Sequence, residues 1–261
     1  MYSEHRTPNP GLIDTHAHLD SYSQVDEIIG NALSAGVEKM MLAAFSLSSS
    51  RFNLNMIGKY DNVFASVGIH PNNSDELSNK AKKELEILAG EPKVKAIGET
   101  GLDYYREHTT KEQQADSFKY HIELAKELDL PLIVHSRDAL DDSFKILESE
   151  EWPKRGCVFH AFSGTLEQAQ RIFSTGGLIS VTGVVTFKNA PELQELVKEA
   201  PLEMMMVETD SPYLSPVPFR GETNEPANVV KVAEKIAELK GVSFEEVARV
   251  TTETAERFFN I

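Results

Sequence analysis

The chain has 261 residues, 41% hydrophobic and 26% charged, with 41 acidic against 26 basic side chains and a formal net charge of −15. That apolar content suffices for one large core and excludes a disordered chain, while the acidic balance argues against a broad basic surface for duplex nucleic acid. The single cysteine, Cys157, excludes an internal disulfide and fits a reducing, cytoplasmic compartment.

Residues 1–11 are polar, contain Pro and Asn, and read as a flexible N-terminal arm without a leader pattern. No apolar run is long enough to span a bilayer, so no membrane association is expected. From there, eight short apolar, β-rich segments alternate with longer stretches of helical period. Strands are read at 12–16, 37–45, 62–69, 94–99, 131–135, 156–160, 177–182 and 204–209. The delimited helices are 74–89, 110–128, 138–150, 165–174, 191–199, 225–239 and 243–259, several opening on a Ser or Thr cap. Cys157 lies inside the sixth strand segment and reads as a packing residue.

Strand–helix alternation calls for a parallel sheet, and eight units call for closure into a TIM-like (β/α)8 barrel. A doubly wound open sheet would fit the periodicity almost as well. No repeat or linker divides the chain, so residues 12–261 are taken as one domain.

The end positions of the strand segments favour the barrel. His16-Ala17-His18 closes the first run, Glu99 the fourth, His135 the fifth and His160 the sixth, while Asp210 follows the eighth. Residues i and i+2 of a strand face the same way, which would turn His16 and His18 into one space. Only a closed sheet makes the first and eighth strands neighbours, with all these residues at the carboxyl-terminal mouth. Imidazole and carboxylate together suit a borderline divalent cation. Six such residues exceed what one ion of low coordination needs, and they suit two ions bridged by a carboxylate about 3.5–4 Å apart. The identity of the ions (Zn, Mg, Mn or Co) is not encoded in these residue types.

Six runs, in order, resemble the TatD family of metal-dependent deoxyribonucleases. They are Asp14-Thr15-His16-Ala17-His18, Gly68-Ile69-His70-Pro71, Ile97-Gly98-Glu99-Thr100-Gly101-Leu102-Asp103-Tyr104, Val134-His135-Ser136-Arg137-Asp138-Ala139, Phe159-His160-Ala161-Phe162-Ser163-Gly164 and Glu208-Thr209-Asp210-Ser211-Pro212-Tyr213-Leu214. The resemblance spans residues 12 to about 228 and implies a barrel of the amidohydrolase superfamily. It also implies cleavage of phosphodiester bonds in DNA by a metal-activated water. Position by position, it makes His16, His18, Glu99, His135, His160 and Asp210 metal ligands, with Glu99 bridging. Ala161 departs from the pattern, since many relatives have cysteine there.

His70 ends the third segment and reads either as a group that donates to the substrate phosphate or leaving oxygen, or as a cap on the barrel mouth. Asp210 could also accept a proton from water, a second catalytic role beside Glu99 and His70. Asp14 and Glu208 each precede a ligand by two positions; each would orient an imidazole or satisfy a buried backbone group. Arg220 lies in Arg220-Gly221-Glu222-Thr223-Asn224-Glu225-Pro226, which resembles a family stretch, and is read as a phosphate-binding residue or as a salt bridge to Glu222. Arg137 has the same two readings, phosphate binding or a salt bridge, with pairing to the adjoining Asp138 favoured, and His5, His108 and His121 are read as surface residues.

The expected activity is hydrolysis of DNA, exonucleolytic at single-stranded or frayed ends, by a monomer with no obligate protein partner. The alternatives are a metal-dependent hydrolase of an amide, lactone or aminoacyl ester, and a non-catalytic metal-binding scaffold.

Overall fold

The computed structural model describes residues 11–106 and 108–261. Eight parallel strands lie in one sheet in sequence order: β1 (Leu12–Ala17), β2 (Val37–Leu42), β3 (Val63–Val67), β4 (Val94–Asp103), β5 (Leu132–Arg137), β6 (Cys157–Phe159), β7 (Leu178–Val181) and β8 (Met205–Val207). A parallel bridge between Ala17 and Ser211 brings the end of β1 to the segment after β8. Two backbone bonds hold that seam, from His18 N–H to Ser211 O at 2.8 Å and from Asp210 N–H to His16 O at 2.9 Å. The sheet is therefore a TIM-like (β/α)8 barrel, nearly closed, and the open-sheet alternative is set aside.

The helices between strands are α1 (Val25–Ser34), α2 (Leu47–Lys59), α3 (Asn79–Ala89), α4 (Lys111–Glu127), α5 (Leu140–Ser149), α6 (Leu166–Ser174) and α7 (Pro191–Glu199), and α8 (Val229–Lys240) and α9 (Phe244–Phe259) follow the last strand. Capping boxes set the starts of α4, at Thr110 and Gln113, and of α6, at Thr165 and Gln168. Three starts differ from the sequence reading. Ser74 lies in a 3-10 turn over Pro71–Glu76, and Ser78 caps α3 instead. Asp138 adopts a left-handed backbone (φ 53°), so α5 begins two residues later. A further 3-10 turn over Pro226–Asn228 delays α8.

Most strands have one side packed against the helices. Their other side supplies a separate cluster, with Ile13, Met41, Ala96, Ile133, Val158, Leu178 and Met206 from seven strands and Phe64 from β3. Ala255, Phe258 and Phe259 of α9 pack on this layer. Cys157 is fully buried, and burial pushes its thiol pKa up, as a packing residue requires. Among the described residues, no helix is long and apolar enough to cross a membrane. The flexible-arm expectation lies outside the described residues except at Gly11. Gly11 itself accepts the Thr252 hydroxyl at its carbonyl, at 2.8 Å.

Candidate metal-dependent active site

Glu99 sits where the register between β4 and β5 slips. Ile97 pairs with Leu132 but Thr100 pairs with Val134, so β4 carries one extra residue there. Such a bulge re-aims a side chain. Gly98 makes it possible: its φ is +128°, and a Cβ there would lie 2.5 Å from the Ile133 carbonyl oxygen. β4 then continues to Asp103, four residues beyond the end read from the sequence, because its last residues pair with β5. β1 has a second slip, between Asp14 and Ala17, next to His16.

The two oxygens of Glu99 face different neighbours. Oε2 lies 3.3 Å from His16 Nε2 and 3.9 Å from His18 Nε2, and Asp210 Oδ1 lies 3.4 Å from His18 Nε2 and 3.7 Å from His16 Nε2. Oε1 lies 2.7 Å from His135 Nδ1, 2.9 Å from His160 Nε2 and 3.5 Å from His70 Nε2. All six sequence-read ligand residues, with His70, thus meet at one centre at the carboxyl end of the barrel. Within it, His16, His18 and Asp210 form one group able to hold an ion; His16, Glu99 and His160 form another, and His70, Glu99 and His135 a third.

The donor set fits a divalent cation. His16 is fully buried and, among the described residues, neither of its ring nitrogens has a hydrogen-bond partner, a costly state for a polar group that an ion would relieve. Other rings are fixed from behind, as metal-bound imidazoles commonly are. His18 Nδ1 is 3.1 Å from the Ala43 carbonyl, and His160 Nδ1 is 3.4 Å from Glu208 Oε1.

Comparison with known proteins agrees with this centre. The family model described as TatD related DNase matches residues 13–260. The chain belongs to the TatD family. It is 42% identical over 256 residues to the uncharacterized metal-dependent hydrolase YcfH of Escherichia coli, covering 96% of each chain. It is 31% identical over 241 residues to the 3'-5' ssDNA/RNA exonuclease TatD of Salmonella typhimurium, covering 90% of this chain and 93% of that one. Among solved structures, YjjV, a TatD homologue from Escherichia coli, superposes with a TM-score of 0.91 at 30% identity, covering 96% of this chain and 98% of that one. The protein is therefore a metal-dependent hydrolase of the TatD family, with candidate ligands in the His, Glu and Asp cluster.

Within this TatD-family centre the charges are strongly coupled. Burial alone would raise the pKa of Glu99, but the imidazoles of His160, His70, His135 and His16 hold it well below the usual carboxylate range. Burial likewise opposes the charged form of His160, yet Glu99 and Glu208 hold its pKa well above the ordinary imidazole value. Burial and the nearby His135 instead push His70 down to about 3. Its Nδ1 accepts the Asn72 N–H at 3.0 Å, so the neutral ring carries its proton on Nε2, toward Glu99.

Asp14 does not reach an imidazole. It accepts the Thr209 N–H at 2.9 Å, the Thr209 hydroxyl at 2.5 Å and the His16 N–H at 3.3 Å, holding the β1–β8 seam, and burial raises its pKa to about 8. Glu208 does face one, and also accepts the Ala161 N–H at 2.7 Å and the Ser180 hydroxyl at 2.6 Å. The backbone at Ala161 already lies beyond β6.

Arg220 is exposed, and its guanidinium lies 4.2 Å from the centre of the Phe187 ring; only a backbone bridge joins it to Glu222. No contact brings it to the Glu99 cluster. Asn224 of the same loop donates to the carbonyls of Thr209 and Tyr213, tying the loop to the end of β8. Arg137 stacks on the exposed Tyr105 ring at 3.8 Å instead of pairing with Asp138.

His121 is a correction to the sequence reading. It is fully buried, its Nε2 accepts the Ile69 N–H at 3.1 Å and its Nδ1 donates to the Ser117 carbonyl at 2.7 Å. Its spacing from Phe118, Ile122 and Ala125 places it on the buried face of α4, a signal present in the sequence. Asp103 was missed as well. It is buried, four residues after Glu99 on the same strand, and its Oδ2 lies 3.4 Å from His135 Nε2.

Proposed function

We propose that this protein hydrolyses phosphodiester bonds in DNA, acting at single-stranded or frayed ends, with two divalent ions held on either side of Glu99. His16, His18 and Asp210 would hold one ion, and His135 and His160 the other. The observation that carries the reading is the division of Glu99, whose two oxygens each face a separate set of imidazoles. When bound, such ions supply Lewis-acid polarisation of a phosphoryl oxygen and lower the pKa of water.

The protein's own groups have matching tasks. Asp210, kept anionic by the His18, His160 and His16 rings against the effect of burial, can accept a proton from water. His70, neutral and with its proton on Nε2, donates a hydrogen bond toward a phosphate or leaving oxygen. Three cations stack on aromatic rings: Lys111, the first residue of α4, on Tyr104; Arg137, the last residue of β5, on Tyr105; and Arg220, in the loop after β8, on Phe187. Aromatic and cationic groups of this kind suit unpaired bases and phosphates.

Hydrolysis of an amide, lactone or aminoacyl ester would be favoured by a dry apolar pocket beside the ions. The cleft of about 550 Å³ that reaches His160 is instead lined largely by polar groups, among them Lys111, Ser136, Asp138, Asp141 and Gln168. The relative named as an ssDNA/RNA exonuclease adds support for a nucleic-acid substrate.

The test is to strip the protein of metal and restore ions singly with end-labelled single- and double-stranded DNA and RNA. Metal-dependent release of nucleotides from single-stranded DNA is expected. Turnover of lactones or aminoacyl esters without nucleic-acid cleavage would overturn the reading.

A further inference from the structure

The Oε1 side of Glu99 is braced by a chain of contacts that reaches outside the cluster. His70 N–H donates to the Phe45 carbonyl, and the His70 ring caps the following 3-10 turn by accepting the Asn72 N–H. The Asn72 side chain reaches the other way, its Nδ2 donating to Asp103 Oδ2 at 3.0 Å. Its Oδ1 is buried without a partner among the described residues, so this bond is the only one the amide makes with them. The reversed amide would set oxygen against oxygen.

Asp103 is itself held firmly. Gln114 of α4 accepts its N–H at 2.9 Å and donates to its carbonyl at 3.1 Å. Its Oδ1 accepts the N–H groups of Tyr105 and Arg106, both at 3.0 Å. Only Oδ2 remains: it accepts the Asn72 amide and lies 3.4 Å from His135 Nε2, which makes no hydrogen bond among the described residues. His70 and His135, from either side of β4, then lie edge to face with ring centres 4.3 Å apart.

We propose that Asn72 and Asp103 are positioning residues for the Oε1 side of Glu99. Asn72 fixes His70 through its backbone and holds Asp103 Oδ2 against His135 Nε2 through its amide. That leaves His135 Nδ1 free to face Glu99 and a cation. The other side, with His16, His18 and Asp210, makes none of these contacts. Removing the Asn72 amide therefore weakens one ion and spares the other. The inference rests on the two-ion reading above, and outer partners of this kind typically change metal affinity about 10–100-fold.

The test compares the wild type with Asn72→Ala and with the double variant Asn72→Asp/Asp103→Asn. The double variant exchanges donor and acceptor, which keeps the hydrogen bond but presents an amide to His135. Uptake of Mn²⁺ or Zn²⁺ by the metal-free protein is followed calorimetrically, with Tm as a control and the ¹⁵N resonances of the histidine rings as a readout that needs no metal. Asn72→Ala is expected to weaken one ion about 10–100-fold, leave the other within about twofold, and shift the His135 ring resonances. The double variant is expected to regain the wild-type Tm without regaining that affinity or the resonances. Recovery of all three would overturn the proposal, because the pair would then be only a loop tether. Unchanged His135 resonances in Asn72→Ala would overturn it too. A wild type that binds a single ion refutes the two-ion reading, while the ring resonances still decide the positioning.

Discussion

Glu99 Oε2 lies 3.3 Å from His16 Nε2 although β4 and β1 are separated by two strands. Both residues sit where strand register slips by one residue. Barrel closure brings the strands round, and the slips bring the side chains into the mouth.

Glu99 is the junction of both halves of the cluster, so Glu99→Ala should lose metal uptake and hydrolysis together. The fall in activity should be at least about a hundredfold, the upper end for outer partners alone. Circular dichroism should show the barrel intact, and elemental analysis should show metal content reduced. Full metal occupancy with normal turnover would remove the bridging role.

Metal uptake should depend on pH. His160, His135 and His18 all have pKa values raised by carboxylates against the opposing effect of burial, so protons compete with ions near neutrality. Apparent affinity is expected to increase as pH rises through and above the ordinary imidazole value of 6.5, with protons released on binding. Calorimetry in buffers of different ionisation enthalpy reads that release; none, with a flat affinity from about pH 6 to 8, would contradict the coupling.

His121 predicts acid sensitivity of the fold. Burial lowers its pKa from 6.5 to about 4, because protonation would take Nε2 from the Ile69 N–H. A depressed value means stability present above 6.5 and lost as pH falls through 4, up to about 3 kcal/mol in all. His121→Leu should cost about 1–3 kcal/mol at pH 7, since the Ile69 N–H loses its acceptor. Urea unfolding should show the gap between variant and wild type closing as pH drops from 6.5 to 4. A gap independent of pH would refute a neutral, buried His121.

With a net charge of −15, binding energy for nucleic acid should come from the ions and a few phosphate contacts. The salt dependence of binding should correspond to about one to three phosphates, and single-stranded or frayed DNA should be cut better than blunt duplex. Arg220→Ala should raise KM for nucleic acid and flatten the slope without releasing metal. A slope equivalent to six or more phosphates, or equal cutting of closed circular duplex, would refute local capture. Unchanged kinetics would leave Arg220 as a lid on Phe187.

Much of this protein was determined locally. Apolar runs alternating with helical period specify eight βα units, and Thr110 and Thr165 mark helix starts through bonds within one turn. The six candidate ligand residues were legible because each stands at or just beyond such a run. Tertiary structure decided what depends on how neighbouring strands register. The bulge at Gly98–Glu99 exists only against β5, and it aims Glu99 so that its two oxygens face different imidazoles. Asp14 shares a strand with His16, yet closure of β1 onto β8 offers it the Thr209 N–H and hydroxyl, and it takes those. Asn72 and Asp103 lie 31 residues apart and meet only when the turn after β3 folds over the end of β4. Periodicity along a chain reports which face a side chain takes, whereas the unpaired polar groups waiting on that face are supplied by distant segments.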